Sequence, residues 1–265
     1  MIEARTMKIA TWNVNSLRVR LPHLLDWLAA SPVDVVGIQE TKLVDDAFPH
    51  AELAAAGYQA VFNGQKTYNG VALLARQPLE DVTRDLPGFE DEQKRVIAAT
   101  IDGVRVINVY VVNGQAVGSD KYGYKLRFLE ALRHYVADEL SRHPELAVVG
   151  DFNIAPAVED THDPAVWEGQ ILCSEAERDA LRALLALGLK DSFRLFEQPP
   201  KSFSWWDYRQ AAFRRNMGLR IDHVLISGRL AQRCVQCQID TAPRRLERPS
   251  DHAPVVAEFV ASSPK

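Results

Sequence analysis

The chain has 265 residues, 47% of them hydrophobic and 25% charged, with a formal net charge of −4. That balance excludes a disordered or membranous chain and leaves enough length for a sizeable buried core. No apolar stretch approaches the roughly 20 residues that a spanning helix needs, and the net charge does not by itself advertise a nucleic-acid binder, although clustered cations can act against a global balance.

The opening "MIEARTMKIATWNV" has no cationic segment followed by an apolar run, so no secretory signal is read and a cytoplasmic protein is expected. Three cysteines are an odd, sparse set that argues against a disulfide framework and fits a reducing compartment. In chain order, "KIATWNV" (8–14) predicts a first strand, with Asn13 and Asn15 sharing a face at its end. A helix is expected over 17–30. The strand "DVVGIQE" (34–40) places Glu40 on the face of Val36 and Ile38, so that an acid ends a buried row. A carboxylate there must be paired, metal-bound or at a cleft, because burying it alone is costly. Strands follow at 58–63, 70–76, 95–100 and 104–112, and then a helix over 125–143.

The run "LAVVGDFN" (146–153) ends in an acid and an amide two residues apart. Two readings stand: a strand running into a turn, since Asp and Asn hydrogen-bond their own backbone, or a strand through both residues that brings Asp151 and Asn153 to one spot. Ser174 and Glu177 form a capping-box signature for a helix over 174–188 that Gly188 stops. The strand 221–227 carries Asp222 within an apolar run, and Asp251 and His252 stand just before the strand 253–260. "CVQCQID" reads as a strand in which Cys234 and Cys237, three apart, face opposite sides, with no second Cys/His pair nearby to complete a zinc site.

The lengths of these runs suit strands, and no linker or internal repeat divides the chain. One domain over 1–265, with a core of about 8–260, is expected. Its class is α/β: two packed mixed sheets with helices outside, a four-layer α/β sandwich. Five strand ends present hard oxygen ligands or a base. Carboxylates and amides without thiolates suit Mg2+ or Mn2+ rather than zinc, and magnesium points to a phosphate substrate. The segment 201–220, "KSFSWWDYRQAAFRRNMGLR", sets five cations, Arg209 among them, against one acid and interleaves them with aromatic rings, as nucleic-acid surfaces often do.

Read in order, "WNVNSLR", "GIQETK", "GVALLAR", "INVYVVNG", "VVGDFNIAP", "SFSWWDYR", "GLRIDHVLIS" and "PSDHAPVVAEF" closely resemble the exonuclease III family, the magnesium-dependent abasic-site endonucleases of base-excision repair. The match spans about Lys8 to Phe259. The resemblance implies the four-layer sandwich and a set of roles. Glu40, with Asn13 close by, looks like the main Mg2+ site, with Mn2+ able to substitute. Asp151 and Asn153 border the metal and act on the attacking water, and Asp251 supports the metal site. His252 and Asp222 resemble the family's His-Asp pair, in which the carboxylate raises the imidazole pKa so that a charged donor faces the phosphate. Tyr110 matches the tyrosine on the scissile phosphate.

The implied reaction is in-line hydrolysis 5′ to an abasic site in double-stranded DNA, with 3′→5′ exonuclease and 3′-phosphatase action on blocked 3′ ends, by a monomer. Trp205 matches the aromatic that packs against the flipped-out sugar, and Leu219 stands where some relatives carry a wedge or pocket residue. Asn113, Lys66, Tyr68, Lys121 and Lys125 are expected on the DNA backbone. Asn15 departs from relatives that have Asp there, and 153–173 agrees less well beyond its first four residues. Two other readings remain: a phosphodiesterase or phosphatase of this fold on a non-DNA substrate, and a catalytically silent nucleic-acid-binding regulator.

Overall fold

Strands such as Val35–Gln39 and Val71–Ala75 are buried at every position, so both faces of their sheet must be covered. The structure, a computed structural model describing residues 6–260, supplies that cover. The chain runs through β1 (Thr6–Asn13), α1 (Leu17–Ala30), β2 (Val35–Gln39), α2 (His50–Ala55), β3 (Gln59–Asn63), β4 (Val71–Ala75), β5 (Glu80–Arg84), β6 (Val96–Ile101), β7 (Val104–Tyr110) and α3 (Asp120–Arg142). It continues through β8 (Leu146–Asp151), α4 (Pro164–Trp167), α5 (Glu175–Leu185), β9 (Leu189–Asp191), β10 (Trp205–Trp206), β11 (Gly218–Leu219), β12 (Asp222–Ser227), α6 (Gly228–Ala231), β13 (Cys234–Ile239) and β14 (Val255–Val260).

Two six-stranded sheets form, ordered β13-β14-β1-β2-β4-β3 and β5-β6-β7-β8-β12-β9. Each contains one parallel pair, β1 with β2 and β7 with β8, among antiparallel neighbours. The parallel pairs need crossovers, which α1 and α3 provide. Between the sheets lies a core that includes Ile9, Leu73, Val106 and Val149. One outer core packs α1 and α2 on the first sheet through Leu24 and Leu53, and another packs α3 and α5 on the second through Phe128 and Leu181. The expected four layers are therefore present. No helix among the described residues is long and apolar enough to cross a membrane.

This topology concentrates polar strand ends. Parallel pairing sets Asn13 opposite Gln39 and Tyr110 opposite Asp151 at the carboxyl ends of their strands. Because β12 runs antiparallel to β8, its first residue, Asp222, lies opposite Asp151 as well.

Just before Asp151, the Gly150 backbone has a φ of 153°, and a Cβ there would sit 1.9 Å from the Val109 carbonyl oxygen. Gly150→Ala must push β8 off β7 next to the site. We expect a loss of about 2–4 kcal/mol in urea unfolding with an unchanged denaturant slope.

Several boundaries differ from the sequence reading. Helix α3 starts at Asp120 rather than 125, because the Ser119 hydroxyl accepts from the Tyr122 N–H at 3.1 Å and caps it. The capping box of Ser174 and Glu177 forms as expected. Strand β5 is a mostly exposed edge with no apolar alternation to mark it. The two cysteines of "CVQC" do not face opposite sides: a register shift between Cys234 and Gln236 brings both thiols to the core between the sheets. Burial pushes their pKa up to about 11 for Cys234 and about 12 for Cys237, which makes them poor thiolates at neutral pH.

Candidate active site

The strands stop at Asn13, Gln39 and Asp151, and the backbone then turns left-handed: φ is 43° at Asn15, 54° at Glu40 and 51° at Asn153. Strand alternation therefore does not carry Asn15 or Asn153. Instead the Asn15 N–H donates to Asn13 Oδ1 and the Asn153 N–H donates to Asp151 Oδ1, each at 2.9 Å. Asp151 is thus a turn residue and a member of the polar cluster at once, so the two readings of "GDFN" are not exclusive. Glu40 does not stay on the face of Val36 and Ile38, which pack in the outer core. Its left-handed backbone, strained by about 1–3 kcal/mol for a residue of this type, turns the carboxylate toward Tyr110 and Asn13. Glu40 Oε1 accepts from the Tyr110 hydroxyl at 2.9 Å and from Asn13 Nδ2 at 3.0 Å.

The same Asn13 nitrogen donates to Asp151 Oδ2 at 2.9 Å, so one amide bridges two carboxylates. Its orientation is not arbitrary: the Asn15 N–H can donate only to an oxygen, and it donates to Asn13 Oδ1. Asn13 Oδ1 thus accepts from the turn with one lone pair left over, and its nitrogen faces the two acids. On the other side of Asp151, His252 Nε2 lies 3.7 Å from Oδ2, while His252 Nδ1 lies 2.9 Å from Asp222 Oδ2. The Ser204 hydroxyl donates to Asp222 Oδ2 at 2.7 Å. Glu40, Asn13, Asp151, His252 and Asp222 form one continuous chain of contacts.

Burial and charge act against each other along this chain. Burial alone would raise the Glu40 carboxyl pKa, but the Lys42 ammonium, 2.9 Å from Oε2, and the hydrogen bonds from Asn13 and Lys42 bring it below the usual value. Asp151 is raised to about 7 by burial, with the His252 charge opposing. Burial would neutralise His252, yet Asp222 and Asp151 win and raise its pKa to about 10, so the imidazole is a cation at neutral pH. Tyr110 is pushed well above its ordinary pKa by burial and by Glu40 and Asp151, and it remains a hydroxyl donor.

Asp151, Asp222 and His252 bring one potential ligand atom each within 4.8 Å of one another. That spacing would suit an ion, with Asp151 and Asp222 supplying carboxylate oxygens. Glu40, linked to Asp151 through the Asn13 amide, adds a further carboxylate beside this group, and carboxylate oxygens without thiolates fit a hard divalent cation.

The remaining predicted residues divide into three groups. Trp205 pairs with Leu219 across β10 and β11, and its indole Nε1 donates to Asp251 Oδ2 at 3.0 Å, while Asp251 Oδ1 accepts from Asn15 Nδ2 at 3.0 Å. Asp251 thus links Trp205 to Asn15. Trp205 is half-buried, edge-on to Trp167 with ring centroids 6.5 Å apart, above an apolar patch of Ala155, Leu172, Leu219 and Ile221. Leu219 is 0% exposed, which corrects its assignment as a DNA contact: it is the floor beneath Trp205.

Tyr68, Asn113 and Lys121 line one open cleft of about 860 Å³ together with Tyr110 and Arg95, and Arg209 projects from a short exposed 3-10 turn. Lys125 does not belong with them. Its side chain is 0% exposed and ion-paired to Glu177, so no DNA backbone can reach it.

Two residues escaped the sequence reading. Lys42 joins Glu40 to Asn15 Oδ1, the latter at 2.6 Å, and its position in "GIQETK" two residues after Glu40 was the available signal. Arg95 lies 4.8 Å from the Tyr110 ring centroid and donates to the Tyr110 carbonyl at 3.1 Å; nothing local in "KRVIAAT" marks it.

Comparison with known proteins agrees with this geometry. The chain is 38% identical over 267 residues to exodeoxyribonuclease III of Haemophilus influenzae, covering 96% of this chain and 100% of that one. A 3′ phosphatase from Neisseria, solved with a product DNA hairpin, is 51% identical with a TM-score of 0.95, covering 96% and 100% of the two chains. An AP endonuclease from Archaeoglobus fulgidus is 40% identical with a TM-score of 0.91, covering 96% and 99%. With the model of the Endonuclease/Exonuclease/phosphatase family matching residues 10–252, the chain belongs to that family.

Proposed function

We propose that this chain is a metal-dependent DNA repair nuclease that hydrolyses the phosphodiester bond 5′ to abasic sites in duplex DNA and also trims or dephosphorylates 3′ ends. The observation that carries the reading is the unbroken line of contacts from Glu40 through Asn13 and Asp151 to His252 and Asp222, ending beside the apolar patch under Trp205. Relatives named as an exodeoxyribonuclease, an AP endonuclease and a 3′ phosphatase support it. The working form is taken to be a monomeric, single-domain, cytoplasmic protein.

In this reading Glu40 and Asp151 would hold Mg2+, with Mn2+ able to substitute. When bound, the ion supplies charge stabilisation for the phosphate oxygens. Asp151, buried between Asn13 and His252, orients the attacking water and accepts its proton. The His252 cation donates to a phosphate oxygen as negative charge builds there, and Asp222 keeps it charged and aimed. Tyr110, held as a neutral hydroxyl, stands beside the phosphate site with its hydroxyl donating to Glu40 Oε1, and Asn153 donates to the phosphate group. The patch beside Trp205 receives a sugar without its base, and flipping such a nucleotide costs little stacking.

The name of the Neisseria relative, a 3′ phosphatase, supports a second reading in which 3′ ends are the principal substrate. Three labelled duplexes separate the two: one with a stable abasic-site analogue, one with a recessed 3′-hydroxyl and one with a recessed 3′-phosphate. The proposal expects a nick immediately 5′ of the lesion alongside loss of the 3′-phosphate. Removal of 3′ groups with an intact abasic duplex would leave only the end-processing reading.

A further inference from the structure

Lys125 sits in the second turn of α3, and Glu177 in the first turn of α5, both with side chains 0% exposed. The ammonium has three protons and three acceptors. It donates to Glu177 Oε1 at 2.5 Å, to the Asn153 carbonyl at 2.6 Å and to the Asn113 carbonyl at 3.1 Å. Glu177 is equally occupied: Oε1 also accepts from the Leu172 N–H at 3.1 Å, and Oε2 accepts from the Ser174 N–H at 3.0 Å and the Ser174 hydroxyl at 2.7 Å.

Stability alone is a weak reason for this pair. Apolar residues of similar volume in place of a buried ion pair are often neutral or stabilising, and the surroundings already hold well-packed apolar side chains from α3 and α5. What an apolar pair cannot do is hold backbone oxygens. Two of the three Lys125 bonds go to carbonyls of loop residues that follow β7 and β8, at Asn113 and Asn153. Asn153 is in the left-handed conformation, and its side chain donates to the Val111 carbonyl at 2.9 Å while its Oδ1 faces Asn113 Nδ2 at 3.4 Å. Fixing both carbonyls fixes the turn on which the two side-chain amides are mounted, one of them beside Asp151 and the other in the cleft next to Tyr110.

We propose that Lys125 is a positioning residue for phosphodiester hydrolysis, a buried cation anchored by Glu177 that sets the Asn153 and Asn113 amides against the phosphate. The inference deepens the nuclease reading above and rests on it. Lys125 touches no substrate, and its effect passes through the two carbonyls.

The test compares Lys125→Met with the double variant Lys125→Met/Glu177→Gln. The single variant strands a buried carboxylate and is expected to melt well below the unaltered protein. The double variant carries no buried charge there, and Gln keeps an acceptor for the 172–174 loop, so its melting temperature should recover most of the loss. Its kcat on an abasic duplex should nonetheless stay down on the order of 10–100-fold, with KM within a few-fold, as small displacements of reacting groups produce. Its 15N spectrum should show displaced side-chain amide resonances for Asn113 and Asn153. Recovery of kcat together with melting temperature, or unmoved amide resonances in the double variant, would reduce Lys125 to a charge-balance role. The amide resonances need no activity, so an unaltered protein that cleaves nothing would overturn the nuclease reading while the positioning claim was still read from the spectrum.

Discussion

Asp151→Asn should lower single-turnover cleavage on the order of 10³–10⁴-fold while leaving duplex affinity within a few-fold. The substitution is nearly isosteric. An Asn oxygen can still accept from the Asn153 N–H, so the turn after β8 survives. What disappears is the ability to take a proton, and with it one of the two carboxylates that Asn13 bridges. The same variant should melt close to or above the unaltered protein at pH 8, the lost Asn13 hydrogen bond offsetting part of the gain. Burial raises the folded-state pKa of Asp151 to about 7, from an ordinary value of 3.8, with His252 opposing. The folded protein therefore binds this proton more tightly than the unfolded chain, and stability falls as pH rises from about 4 to about 7. Removing the carboxylate removes that cost. A large activity loss with unchanged or higher stability is the expected signature of a functional group kept at the expense of stability. Equal losses of cleavage, binding and melting temperature would instead identify Asp151 as structural.

His252→Gln should cost about 10²–10³-fold in kcat, the range for losing one strong donor at a developing anion. In the metal-free protein it should also raise the Asp151 pKa further, because the His252 charge is what holds that pKa down against burial. The stability consequence has the opposite sign to that of Asp151. Asp222 and Asp151 raise the His252 pKa to about 10 from 6.5, against the pull of burial. The stabilisation is therefore fully present below pH 6.5 and is lost as pH rises through about 10. Melting temperatures taken from pH 6.5 to 10 should fall in the unaltered protein, and this component should be missing in His252→Gln. An Asp151 titration that stays in place in the metal-free variant would show that the two groups do not communicate across their 3.7 Å separation.

The sandwich and most of the site were legible because apolar runs of strand length ended repeatedly in acids and amides, and parallel pairing brings such ends to one edge. Asp151, Asp222, Glu40 and His252 were found in this way. Alternation failed one residue beyond each strand. It assigned Glu40 to the face of Val36 and Ile38, whereas a φ of 54° turns its carboxylate to Asn13 and Tyr110. Period-two reasoning has no purchase once the backbone leaves the β region. The Cys234 to Cys237 spacing misled for a related reason, since one extra residue in a bulge reverses the face of everything after it. Lys125 looked like a surface cation because lysine usually is one. Its burial depends on Glu177 arriving from a helix 52 residues away, and no local pattern encodes that meeting. Leu219 was read as a contact and is a floor, because the two-residue strand pairing that places Trp205 over it is too short to leave a periodic trace.

The central claim is that the Asp151 cluster performs metal-dependent hydrolysis at an abasic site. Its most direct test is single-turnover cleavage of a 5′-labelled duplex containing one abasic analogue, in Mg2+ and in EDTA, with Asp151→Asn alongside. The account predicts one nick immediately 5′ of the lesion, present in Mg2+ and absent both in EDTA and in the variant. A nick that persists in EDTA or in Asp151→Asn would contradict it, as would tight binding of the duplex with no cleavage under any condition.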